Sequence, residues 1–190
     1  NVPEWYIESC RRIKYMFPKA HAVAYVMMSY RIAWYKVYYP LEFYAVYFTS
    51  KVNDFDSDTI LKGPKAVLNK LDHIEAKGKN ATQKEEDEAA VLEVAYEMYA
   101  RGYEFASPEI GKSHATRFLA VDGKVLLPFV ALAGVGESAA KAIVSEYEKG
   151  PFLSIDDLRN RAKVNKTAVE ALLKHGVLSE MPESNQLSLF

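Results

Sequence analysis

From Ala20 to Phe48 the chain is apolar with few interruptions, and in "AHAVAYVMMSYRIAWYKVYYP" the residues Val23, Val26, Met27, Tyr30, Ala33, Trp34 and Val37 recur at steps of three and four. That spacing is one face of an α-helix, and Pro40, which cannot continue it, marks the end. A face this wide predicts a core helix and commits the chain to helix packing. A membrane span is not expected: the unbroken run Ala20 to Tyr30 is too short, and Arg31, Lys36, Pro40 and Glu42 interrupt the rest of the stretch. With 49% apolar residues in 190, the chain can bury a substantial core.

The same periodicity returns along the chain. "LEFYAVYF" places Phe43, Tyr44 and Tyr47 at helical spacing. Gly63-Pro64 puts a proline in a first helical turn, Val67, Leu68, Leu71 and Ile74 come next on one face, and Gly78 stops the run. Thr82 and Glu85 then form a capping box, with Leu92, Ala95, Tyr96 and Tyr99 on one face before Gly102. These two helices read as an antiparallel pair. After Gly102 the pattern changes: Asp122-Gly123 between Phe118–Val121 and Lys124–Leu127 predicts a small β-hairpin. Short helical pieces separated by Gly134, Gly136, Gly150 and Gly176 come after it, and beyond Met181 the composition becomes that of a tail. The fold class is mainly α, divided into segments 1–103, 104–180 and 181–190.

Net charge is −1, so electrostatic arguments must be local; bases outnumber acids in the first fifty residues, whereas Glu85, Glu86, Asp87 and Glu88 form an acidic run. The single cysteine, Cys10, can form no internal disulfide, which makes the cytoplasm the default compartment. The sequence has neither an initiator Met nor a leader pattern and reads as an excised piece of something longer.

The richest motif is "PFVALAGVGESAAKAIV", with Leu132, Gly134, Val135, Gly136, Ala140 and Ile143. It predicts two helices joined by a tight turn in which Gly134 and Gly136 permit positive φ and close approach of a ligand. The exposed amides of the turn and the next helix N-terminus suit one phosphate, with Lys141 within reach of the same backbone. The arrangement resembles a helix-hairpin-helix, a duplex binder indifferent to sequence. A glycine-linked helix pair that merely packs is the alternative. A degenerate copy stands downstream in "FLSIDDLRNRAKVNKTAVEALLKHG": Ser154 caps a helix through Asp157, Val164 to Lys166 turn, and Val169, Leu172 and Leu173 point inward before Gly176. This turn lacks glycine, but Arg159, Arg161, Lys163 and Lys166 cluster around it, and a tandem pair can straddle a minor groove with one strand held by each half. A solvated charge run is the alternative for that cluster.

Chemistry-bearing residues are otherwise sparse. In "NDFDSD", Asp54, Asp56 and Asp58 mimic an aspartate triad, but a calcium loop would require Gly where Thr59 stands and Glu where Lys65 stands, and a polar loop before a helix is a poor metal platform. Surface capping is the reading adopted. His21, His73, His114 and His175 have no metal-site spacing, and neither catalytic residues nor metal ligands are assigned. In "RIKYMFPKAHAVAYV", Arg12, Lys14 and Lys19 alternate with Tyr15 and Phe17 before Pro18 and His21, a corner able to offer rings to bases and cations to phosphates; an ordinary hydrophobic staple is the alternative. The terminal "NQLSLF" has the form of a peptide for a groove on another protein, Gln186 fixing register and Leu187, Leu189 and Phe190 filling pockets.

Taken in order, "MFPKAHAVAY", "YYPLEF", "LAGVGESAAKAIV", the second hairpin and "QLSLF" resemble the C-terminal end of bacterial family C replicative polymerases, the DNA polymerase III alpha subunits. "AKGKNATQKEEDEAAVLEVAYEM" and the terminus are most similar to the PolC type. The resemblance covers essentially the whole chain. It implies that 1–103 is the C-terminal part of the fingers, with Tyr15, Phe17, Lys19 and His21 facing the incoming nucleotide and template. It implies that 104–180 is a tandem helix-hairpin-helix domain gripping duplex DNA through Gly134, Val135, Gly136, Lys141, Arg159, Arg161, Lys163 and Lys166. The tail 181–190 would hold the sliding clamp through Gln186, Leu187, Leu189 and Phe190. The parent would be a DNA-directed DNA polymerase of the replisome, with dNTP and Mg2+ bound at palm carboxylates absent from this chain, so the piece alone should be inactive and carries no cofactor. A free-standing clamp-tethered DNA-binding adaptor without enzymatic activity is the competing reading, and a purely structural helical module is a third.

Overall fold

A computed structural model describes residues 1–13 and 18–184. Contacts divide the chain into two units, Asn1–Tyr39 and Pro40–Phe190.

The first unit holds α1 (Glu4–Arg12) and α2 (Lys19–Tyr38). In α1, Glu4 near the N-terminus and Arg11 and Arg12 near the C-terminus complement the helix dipole. The α2 helix ends beside Pro40, as the spacing predicts, but it is not a core helix: none of its residues is buried, and Val26, Tyr30 and Val37 are more than half exposed. Its apolar residues occur on every side, so burial would require neighbours all round, more than a unit of this size contains. Trp34 packs on Tyr38 and Tyr39, with ring centroids 4.9 and 5.6 Å away.

The second unit begins with α3 (Pro40–Ser50), α4 (Ser57–Ile60), α5 (Pro64–Lys77) and α6 (Gln83–Ala100). Pro64 opens α5 and Gly78 closes it. The α5–α6 pair packs around Val67, Ile74, Val91, Leu92, Ala95 and Met98, while Leu68 and Tyr96 lie at the edge of that face and remain over one-third exposed. The Thr82 hydroxyl accepts the Glu85 N–H at 3.3 Å, and the Glu85 carboxylate accepts the Thr82 N–H at 3.0 Å. Thr82→Ala is expected to cost about 1 kcal/mol in urea denaturation, the usual loss for an N-cap. Lys77 and the two Thr82 groups hold the Glu85 pKa down at about 2, so what the Glu85 carboxylate itself adds is present above the ordinary Glu value and is lost as pH falls toward 2.

At Gly102 the backbone turns from helix to strand. β1 (Glu104–Ala106), β2 (Leu119–Val121) and β3 (Lys124–Leu126) form a sheet in the order β1-β3-β2. β2 and β3 pair antiparallel about Asp122 and Gly123, whose φ values of +51° and +77° match the favoured two-residue hairpin turn. β1, which sequence periodicity misses, pairs parallel to β3 from Glu104↔Lys124 to Ala106↔Leu126. Phe105, Phe118 and Val125 join Tyr44, Phe48 and Phe55, so one core continues across residues 102–107.

A second core gathers Phe129, Leu132, Val135, Ala140, Ile143, Phe152, Leu158, Val164, Val169, Leu172 and Leu178. It lies among α7 (Glu137–Glu148), α8 (Ile155–Ala162) and α9 (Lys166–Lys174). Mainly α with a small β-hairpin is thus borne out. Leu173 differs from its predicted inward position: it is 46% exposed, one residue past the stripe formed by Val169 and Leu172. Among the described residues no helix is long and apolar enough to cross a membrane.

Candidate nucleic-acid interface

In the first hairpin the leading helix is only a single 3-10 turn, Phe129–Ala131. The Val135 N–H donates to Leu132 O at 3.0 Å, closing the turn, and the Val135 side chain plugs the core at 4% exposure. The two glycines do different work. Gly134 has φ +96°, and a Cβ there would meet Thr167 Cγ2 at 3.2 Å and Ala171 Cβ at 3.7 Å, so both its backbone and its packing on α9 demand glycine. Gly136 instead has φ −72° and ψ 158°, an ordinary extended N-cap conformation, and a Cβ there would meet nothing within 4 Å. Only one of the two uses positive φ, therefore; the space above Gly136 is open from outside.

No side chain caps α7. Its first-turn amides have no intrahelical partners, and the absence of a Gly136 side chain leaves them approachable. Lys141 Nζ lies 2.6 Å from Glu137 Oε1, an exposed pair one turn into the helix and worth little in water.

The second hairpin repeats the backbone with other residues. Lys163 takes the left-handed position at φ +49°, Val164 is buried, and Asn165 is the N-cap of α9. The position read as deficient in glycine is therefore built by a lysine that, like Gly134, has a positive φ, +49° against +96°. Asn165 Oδ1 accepts the Ala168 N–H at 2.8 Å, so the amide end of α9 is already occupied by its own side chain. The two halves present different chemistry: open amides in the first, and the exposed cations Lys163 and Lys166 in the second. Lys166 faces Glu170 at 3.7 Å, and Arg159 faces Asp156 at 3.8 Å.

Arg161 stands apart from these cations. Its Nη1 donates to Pro151 O at 3.0 Å and Asp157 Oδ2 at 3.3 Å, and its Nη2 donates to Gly150 O at 2.8 Å and to Glu146 O. The guanidinium also lies 4.6 Å from the Phe152 ring centroid. It is a clamp inside the fold, and local sequence carries no sign that separates it from its neighbours. Asn165 was legible as a cap in principle, from its place two residues before Thr167 and ahead of the Val169–Leu172 stripe.

Of the remaining predicted residues, Lys19 and His21 lie exposed in the first turn of α2, His21 packing edge-on to Tyr25 at 5.2 Å. Tyr15 and Phe17, and also Gln186, Leu187, Leu189 and Phe190, lie outside the described residues. In "NDFDSD", Asp56 caps α4 by accepting the Thr59 N–H at 3.1 Å, and Asp58 pairs with α9. These carboxylates are engaged within the fold and do not fit a metal pair. Among the described residues no three His, Cys, Asp or Glu side chains converge as metal ligands.

Residues 102–187 match the family model of the helix-hairpin-helix motif. Over its full length the chain is similar to part of the PolC-type DNA polymerase III of Caldanaerobacter subterraneus subsp. tengcongensis, with 54% identity over 14% of that protein. Those of Clostridium perfringens and Bacillus subtilis are 53% and 51% identical, over 13% of each. The chain thus spans about one-seventh of the length of the curated relatives it matches, and the resemblance read from the sequence is borne out.

Proposed function

We propose, from similarity along the whole chain to one segment of PolC-type DNA polymerase III, that this chain is the duplex-holding and clamp-tethering segment of a bacterial replicative polymerase. The observation that carries this reading is the uncapped N-terminus of α7 behind Gly136, where open space and unpartnered amides meet. One phosphate oxygen of duplex DNA accepts from these amides, which read no base and fit a binder that must tolerate every sequence. Lys163 and Lys166 of the second hairpin neutralise the opposite strand through side-chain charge. Residues 1–103 supply fingers contacts to the incoming dNTP and template from Tyr15, Phe17, Lys19 and His21, and residues 186–190 hold the sliding clamp. The catalytic Mg2+ belongs to palm carboxylates outside these residues, so the segment alone does not polymerise. Its setting is the replisome on the nucleoid, in the cytoplasm.

The two glycines give the test. Gly136→Val, at an ordinary φ and in open space, should leave the fold intact while its side chain covers the amides. Duplex affinity, read by fluorescence anisotropy, should fall about tenfold to a hundredfold, the equivalent of one charge-assisted hydrogen bond. Gly134→Ala should instead destabilise the fold by about 1–3 kcal/mol, because alanine is strained at φ +96°. Wild-type affinity should fall with salt at a logarithmic slope of about −0.9 per phosphate contacted. Duplex binding unaffected by Gly136→Val, or insensitive to salt, would end this reading.

A further inference from the structure

Asp58 begins as one of three aspartates in an acidic stretch and ends paired with Lys174, 116 positions away, and beside His175. It sits on α4, in the lobe built around α5 and α6, yet its carboxylate lies 2.6 Å from Lys174 Nζ and 3.1 Å from His175 Nε2, at the C-terminal end of α9. The His175 side chain is only 9% exposed, so this is a half-enclosed contact and not a loose surface pair. One and two turns back along α9 stand Ala171 and Thr167, the residues against which Gly134 packs. Residues 167, 171, 174 and 175 keep the three-and-four spacing of one helical stripe, and the His175 N–H donates to Ala171 O at 3.2 Å. A continuous line of contact therefore runs from Asp58 through α9 to the turn that presents the α7 amides.

We propose that Asp58 is a positioning residue for this turn, its ion pair with Lys174 and its contact with the His175 ring seating α9 beneath Gly134 in a pH-dependent way. The proposal rests on the duplex-binding reading for its effect on affinity, and on geometry alone for its effect on the turn. The charged groups facing His175 are Asp58 on α4, Lys62 just after it, and Lys174 on α9. Burial holds the ring below the ordinary histidine pKa, the two lysines add to this, and Asp58 opposes it. A histidine so depressed supports the seat while neutral. The seat is complete above about pH 6.5 and weakens as pH falls through the lower folded value.

The test uses the full chain followed by NMR. In the wild type, the Gly134 amide resonance should titrate with the same midpoint as the His175 ring, and His175→Gln should abolish that step. In Asp58→Asn the His175 midpoint should fall further, the Gly134 amide should shift, and duplex affinity should drop about threefold to tenfold. A Gly134 amide that ignores the His175 titration overturns the proposal, whatever the variants do. Coupled titration in a chain that binds no duplex supports the seating and sinks the duplex reading instead.

Discussion

An Arg161→Ala variant is expected to lose about 2–4 kcal/mol of stability in urea denaturation while keeping the wild-type salt slope of duplex binding. The reason lies in what the guanidinium holds. Glu146 O lies in the last turn of α7, where it also accepts the Lys149 N–H at 3.2 Å, and Gly150 O and Pro151 O lie just beyond the helix. Arg161 reaches them from α8 and so ties the exit of the first hairpin to the entry of the second. Its Asp157 partner sits one turn earlier on α8, and the planar group rests on Phe152. Water reaches part of this clamp, since the Arg161 side chain is 27% exposed, and the loss is correspondingly smaller than the sum of the bonds. Arg161→Lys should recover less than half, because one ammonium cannot span acceptors laid out for a fork. Lys163→Ala and Lys166→Ala should behave in the opposite way, leaving stability within about 0.5 kcal/mol and lowering the salt slope by about 0.9 each. A reduced slope with unchanged stability in Arg161→Ala would show that the arginine faces DNA after all.

The contrast between Arg161 and its lysine neighbours marks the limit of what the sequence alone discloses. Features whose physics is local are legible: Pro64 at a helix start, the Thr82–Glu85 capping box, Asp122-Gly123 in its hairpin and Ser154 before α8 all have their partners within four residues. Features that depend on distant partners are not. β1 is three residues long and gains its identity only by pairing with β3, eighteen or more residues later. Asp58 looks like any loop aspartate until α9 folds against it. The apolar pattern of α2 states that burial is needed and is silent on what supplies it. At the candidate interface, the glycine pair is visible, but its division of labour is not: positive φ at Gly134 and open space at Gly136 are properties of the folded backbone. The second hairpin is obscured for the same reason, with a lysine in the left-handed position that glycine would advertise.

Deletion of residues 186–190 is expected to remove sliding-clamp binding below detection while leaving duplex affinity unchanged. Burying Leu187, Leu189 and Phe190 in a groove contributes about 1.5–3 kcal/mol each, and ordering five residues costs about 1–2 kcal/mol apiece. The two nearly cancel, so the peptide cannot hold a clamp on its own and must act while something else keeps the clamp near. In the function proposed above, duplex DNA held by the hairpins and encircled by the clamp would do that. The stem of the tail limits the geometry further. Pro182 O and Glu183 O accept the Ile155 and Asp156 N–H groups at 2.9 and 3.1 Å, which fixes the chain beside the N-terminus of α8. Only Ser184 and Asn185 separate that point from the proposed clamp peptide, and an extended link of that length spans about 10 Å at most, so the proposal places the groove within about that distance of the second hairpin. A flexible insertion after Ser184 should therefore weaken clamp binding on DNA only gradually, roughly as the −3/2 power of linker length once the span is exceeded. Abrupt loss on insertion would mean that the stem itself touches the clamp, and loss of duplex binding on deletion would mean that the tail belongs to the DNA interface.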